Sequence, residues 1–113
     1  MLWLIVLILF QREDANAMVF KKLPSAVLVK EQSYPITYLT TMPDEYGCTY
    51  YDIPRIEVSL DEGIENTEST VIHEVLHAMA HEYKIKLPES MVLKLEEALY
   101  ETLRKNKWKI VIE

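Results

Sequence analysis

The stretch from Thr67 to Tyr83 contains neither Gly nor Pro, and in it Ile72, Val75, Leu76 and Met79 recur at i, i+3, i+4 and i+7. That spacing is one apolar face of a helix. It predicts a helix over about 67–84, with Asn66 or Thr67 as N-cap and Glu68 in the first turn, where a negative charge suits the helix dipole. The segment His73-Glu74-Val75-Leu76-His77 lies inside it. On a helix, residues i and i+4 stack on one face, so His73 and His77 can share one zinc ion. Glu74 is rotated away from the pair and is placed to hold a water as general base. The chain has three His, all between positions 73 and 81. They are concentrated on this one element.

Short β-prone runs precede this helix. Residues 19–23 and 26–31 read as extended segments around Pro24, with Val27 and Val29 on one side. Ile36 to Thr41 is a third such run, and 43–47 (Pro-Asp-Glu-Tyr-Gly) is a turn. Cys48 to Tyr51 and Arg55 to Leu60 read as strands. In the second, Ile56, Val58 and Leu60 alternate with Glu57 and Ser59, which predicts one buried and one wet face. A second helix is predicted from Pro88 to Lys105, with Val92, Leu95, Leu99 and Leu103 as its stripe and Asn106 at its end. The final segment, 107–113, alternates Trp108, Ile110 and Ile112 with Lys109, Val111 and Glu113 and reads as a strand or extended tail. Strands first and helices after imply an α+β domain: a small, mostly antiparallel sheet with two packed helices.

The 113 residues suffice for one domain. A net charge of −6 argues against a nucleic-acid partner, whose phosphates need a basic footprint. A single cysteine, Cys48, excludes an internal disulfide framework and a multi-Cys zinc knuckle. Residues 1–17 stand apart from the domain at 18–113. Leu2 to Phe10 is unbroken apolar sequence, too short to span a bilayer as a helix. Ala15-Asn16-Ala17 resembles a signal-peptidase site, yet no Lys or Arg precedes the apolar run. The segment therefore reads as a secretion signal, a membrane or partner anchor, or an over-extended start with Met18 as the true first residue. The last reading is favoured and places the protein in the cytoplasm.

A catalytic zinc takes three protein ligands and leaves a position open. The candidates for the third are Glu96, Glu97, Glu101, Cys48 and His81. His81 lies about 12 Å from His73 along the helix axis, too far to share one ion. On the second helix, with Val92 at zero, Glu96 falls at about +40°, inside the apolar stripe, whereas Glu97 and Glu101 fall at about +140° and 180°. A carboxylate on a packing face is costly unless paired or metal-bound, so Glu96 is the favoured third ligand.

With His73-Glu74-x-x-His77 and a downstream helical Glu, the chain resembles the gluzincin-type zinc metallopeptidases. It is more closely similar to small HExxH proteins of bacteriophages and prophages. The matching residues are Tyr46-Gly47, Tyr50 to Asp52, Ile56 to Leu60, Thr70 to Ala78 and Ala98 to Asn106. The resemblance implies zinc held by His73, His77 and Glu96, Glu74 as catalytic base, a peptide or protein substrate and residence in the host cytoplasm. His81 and Tyr100 are candidate oxyanion donors, and the Ile56 to Leu60 strand could take an extended peptide by β-addition. Two rivals stand beside this reading. One is a deformylase-like amidase using Cys48 as a ligand. The other is a non-catalytic zinc-binding interaction module on a peptidase-like fold.

Overall fold

The computed structural model describes residues 18–40, 42 and 45–111. Four strands, β1 (Ala26–Val29), β2 (Gln32–Leu39), β3 (Gly47–Tyr50) and β4 (Arg55–Ser59), precede two helices, α1 (Ile64–Tyr83) and α2 (Glu89–Lys105). The strands form one sheet in the order β1-β2-β4-β3. β1 pairs with β2 and β3 with β4 antiparallel, while β2 and β4 run parallel. The fold is thus α+β, with a mixed sheet. The leader at 1–17, part of the turn at 43–47, Thr41, and Ile112 and Glu113 lie outside the described residues.

The alternation expected of the strands holds where the sheet meets the core. Val29, Tyr34, Ile36, Ile56 and Val58 are buried, while Leu28 and Glu31 face outward. It fails at the end of β4, where Ser59 is buried and Leu60 is 42% exposed. The cause is local. The Ser59 carbonyl accepts the Thr67 hydroxyl at 3.2 Å, so the chain turns into α1 before Leu60 can point to the core.

α1 packs across the sheet, against β1, β3 and β4, and α2 packs on α1. α1 is therefore enclosed from two sides. Its sheet-facing residues are Thr67, Thr70, Val71, Glu74 and Ala78, all buried. The apolar stripe read from sequence lies round the helix from them, and its last member, Met79, is 42% exposed. Ile72, Val75, Leu76 and Met79 line an apolar groove of about 260 Å³ together with Phe20, Val27, Leu99 and Ile110. The helix also starts earlier than expected, at Ile64, after Gly63 with φ 87°. Asn66 and Thr67 are not N-caps. They lie within the first turn and donate back to the carbonyls of Glu62 (2.9 Å) and Gly63 (2.9 Å). Glu68 does not face the dipole from solvent. It is fully buried, accepting from the backbone N–H of Val19 and Phe20 and from the Tyr100 hydroxyl.

α2 sits about a residue later than predicted at its start, with Pro88 as N-cap and Asn106 closing it. Its buried line is Val92 and Tyr100, flanked by half-buried Glu96 and Leu103. Leu95 and Leu99, expected in the core, are 38% and 43% exposed. With Val92 at zero, the buried line centres at about +40° rather than on the leucines, because Tyr100 falls at about +80°. A roll of that size turns acidic residues toward α1. Near the termini, Phe20 pairs with Ile110 in a single parallel bridge, held by Ile110 N–H to Val19 O (2.8 Å) and Lys21 N–H to Ile110 O (2.9 Å). The expected C-terminal strand is reduced to this bridge among the described residues, and Trp108 is exposed. Among the described residues no helix is long and apolar enough to cross a membrane.

The two kinds of leucine-like position differ in cost. Ile56→Ala, at the fully buried centre of β4, is expected to lose about 2–5 kcal/mol of stability. Leu95→Ala should lose no more than about 1 kcal/mol. Denaturant unfolding of both variants checks this, and equal losses would contradict the roll of α2.

Candidate metal centre

The two faces of α1 send the HExxH residues in different directions. Glu74 points to β3, where its Oε1 accepts the Thr49 hydroxyl at 2.7 Å. The same hydroxyl lies 3.1 Å from the Glu74 carbonyl. His73 and His77 point toward α2. Their Nε2 atoms lie 3.2 Å apart and their ring centroids 4.9 Å apart.

Two carboxylates of α2 meet these rings on different nitrogens. Glu96 Oε1 lies 2.7 Å from Nδ1 of His73. A carboxylate only accepts, so Nδ1–H is the donor, and a neutral His73 then carries its lone pair on Nε2. Glu89 approaches from the other side, with Oε1 2.7 Å from His73 Nε2 and Oε2 3.0 Å from His77 Nε2. Among the described residues, His73, His77 and Glu89 form a group whose donor atoms all lie within 4.8 Å of one another. Glu96, the expected third ligand, is brought to His73 as the helix phase predicts, but to the nitrogen facing away from that group. The reason is their place along the axis of α2. Glu89 falls at about +60° on the same helix wheel and Glu96 at about +40°, so both face α1 two turns apart. The angular argument that selects Glu96 selects Glu89 equally well; the signal was present in the sequence, hidden by its position in the first turn.

The donor set suits a metal ion. Two imidazole nitrogens and a carboxylate converge; with both rings neutral and Nε2 unprotonated, such groups repel one another unless a proton or a cation lies between them. Donors at about 2.0–2.1 Å from one tetrahedral zinc are about 3.3–3.4 Å apart. The two Nε2 atoms are 3.2 Å apart, close to that spacing. Glu89 sets one oxygen 2.7 Å from His73 Nε2 and the other 3.0 Å from His77 Nε2, hydrogen-bond distances that a small outward shift of the carboxylate would widen to admit an ion. The Glu96 contact on Nδ1 has the geometry of the carboxylate that orients a histidine in metal sites.

The group opens onto a cleft of about 290 Å³ lined by Gly47, Cys48, Thr49, Tyr51, His73, Glu74, His77 and Glu89. Burial pushes the Glu74 carboxyl above its usual range, opposed by the Thr49 hydrogen bond and by His73 and His77. Burial likewise raises the Cys48 thiol, which favours the thiol over the thiolate a metal needs. Cys48 borders the cleft but is not in the convergent group. His81 is stacked on Tyr51 at 4.2 Å, at the rim. Glu97 is exposed, and Glu101 pairs with Lys105 on the solvent side. Tyr100, a candidate oxyanion donor, is instead committed to buried Glu68. Thr49 and Tyr51 went unnoticed in the sequence, because nothing local to a strand reveals which helix residue it will meet. β4 cannot accept a further strand, being paired on both sides; the sheet edge beside the cleft is β3.

Gly47 permits this arrangement. A Cβ there would lie 2.6 Å from Thr70 Cγ2, 3.1 Å from the Glu57 carbonyl and 3.1 Å from Glu74 Cγ. β3 thus approaches α1 more closely than any side chain allows. Comparison with known proteins finds no family model that matches the chain, and no curated protein or solved structure that matches it.

Gly47→Ala is expected to cost about 1–3 kcal/mol by overpacking, measured by denaturant unfolding; an unchanged midpoint would mean β3 stands off from α1. A second expectation concerns Glu74 in chelator-treated protein. Its folded pKa is raised, so the folded state holds the proton more tightly than the unfolded one. The wild type should therefore lose stability relative to Glu74→Gln as pH rises from the ordinary carboxylate range through the raised value. Thermal melts of the two proteins from about pH 4 to about pH 8 read this directly. Parallel curves would show that ionising Glu74 carries no folding cost.

Proposed function

We propose that the protein is a zinc-dependent metallopeptidase whose metal is held by His73, His77 and Glu89. The observation that carries this reading is the convergence of the two Nε2 atoms and the Glu89 carboxylate on one point, with the buried Glu74 carboxylate on the same cleft. Glu96 fixes the His73 ring through Nδ1 rather than serving as a ligand. A zinc ion bound there would polarise a substrate carbonyl and make water a better nucleophile at neutral pH.

The chain's own groups supply the remainder. Thr49 holds Oε1 of Glu74, which leaves Oε2 to take a proton from water and later deliver it to the departing amine. Burial raises the Glu74 carboxyl above its usual range, the direction that makes it a stronger base. The edge of β3, unpaired among the described residues, offers backbone donors and acceptors to an extended peptide, which would then lie along Gly47 to Tyr50 at the cleft. This favours a peptide as the substrate class.

Protein purified without chelator is expected to carry about one zinc per chain. Glu89→Ala should weaken zinc binding more than Glu96→Ala, for which a loss of about 10–100-fold is expected from an orienting partner. Glu101→Ala should leave it unchanged. Glu74→Gln should retain the metal and lose peptide hydrolysis. Elemental analysis, competitive chelator titration and a peptide-cleavage assay test the set. Protein without stoichiometric metal, or a larger loss from Glu96→Ala than from Glu89→Ala, would defeat the assignment.

A further inference from the structure

Glu68 lies on α1 with no exposed surface, away from the histidine cluster. Both of its oxygens are directed at one atom, the backbone nitrogen of Val19, at 2.9 and 2.8 Å. Oε2 also accepts from the Phe20 N–H at 2.7 Å, and Oε1 from the Tyr100 hydroxyl at 2.8 Å. Val19 is itself fully buried. A peptide nitrogen has one proton to divide between two carboxylate oxygens. An α-ammonium has a separate proton for each and brings the positive charge that a buried carboxylate otherwise lacks from hydrogen bonds alone. Other charged groups stand nearby. Arg104 lies over the Tyr100 ring and pairs with Glu65, and Lys109 Nζ donates to the Met18 carbonyl.

We infer that Glu68 is the receptor for a mature N-terminus at Val19. Met18 opens the globular pattern, and the residue after it is a small valine, which a methionine-removing aminopeptidase can expose. In a chain whose translation starts at Met18, the start its sequence favours, the step is hydrolysis of the Met18–Val19 amide before Val19 is buried, and the Met18 carbonyl that Lys109 meets leaves with the methionine. Water supplies the oxygen of the released methionine carboxylate, and the valine nitrogen leaves as an amine that takes up a proton. The new ammonium then docks between Oε1 and Oε2 of Glu68, tying the start of the chain to α1. This site is independent of the metal reading, and neither depends on the other.

The test uses the gene under its own upstream sequence with a tag at its 3′ end. Intact mass and N-terminal sequencing of the purified protein should place the first residue at Val19. Acylation of that amine should then be at least about tenfold slower in the native protein than in the unfolded chain, and faster in Glu68→Gln than in the wild type. A chain that starts at Met1 or Met18 overturns the inference. So does a Val19 amine that reacts as fast folded as unfolded, a comparison the wild type alone decides if Glu68→Gln does not fold.

Discussion

The structure depends on α1 being enclosed from two sides while carrying polar groups into both interfaces. A helix in that position cannot leave a buried carboxylate or imidazole without a partner, because each would cost the full desolvation of its polar atoms. Among the described residues no buried side-chain nitrogen or oxygen lacks a hydrogen-bond partner. The partners come from separate parts of the chain. Thr67 is held by the β4 end, Glu68 by the N-terminal segment and α2, Glu74 by β3, and His73 by α2. Each contact fixes the distance of one element from α1, so the polar residues of this helix set the assembly of the domain.

The proposed metal centre is a consequence of that arrangement. His73 and His77 are one turn apart, but a helix alone supplies only two donors. The third arrives because α2 lies along α1 with Glu89 and Glu96 on one face, two turns apart. Glu89 reaches the outer nitrogens of both rings; Glu96, deeper, takes the inner nitrogen of one. Exposure follows the same order, with the Glu89 side chain 57% exposed and that of Glu96 21%. In the proposed assignment, Glu89 at the mouth of the cleft is the ligand and Glu96 behind it orients the His73 ring. Glu74, meanwhile, is kept protonatable by burial under β3, and the close approach at Gly47 makes that burial possible.

The helix α1, its HExxH motif and the existence of a second amphipathic helix were legible in the sequence because each is a periodic signal of short range. So were β4 and the alternation around Ile56 and Val58. The order of strands in the sheet was not, since β2 and β4 pair in parallel across an intervening strand. Nor was the inward turn of Glu68: a Glu in a first helical turn reads as a dipole partner until a distant backbone segment is seen to occupy it.

What the sequence determined by itself is the chemistry available: two imidazoles one turn apart, a carboxylate between them, and acidic residues on a following helix. What the tertiary structure decided is which of those acids meets which nitrogen. Helix phase counted from leucines missed the true packing line, because Tyr100 and Val92, not Leu95 and Leu99, are the residues buried on α2. A roll of about 40° is less than half the angle between successive residues. It leaves the periodic pattern intact and turns both acids toward α1, and their places along the helix axis then decide which of them meets which nitrogen.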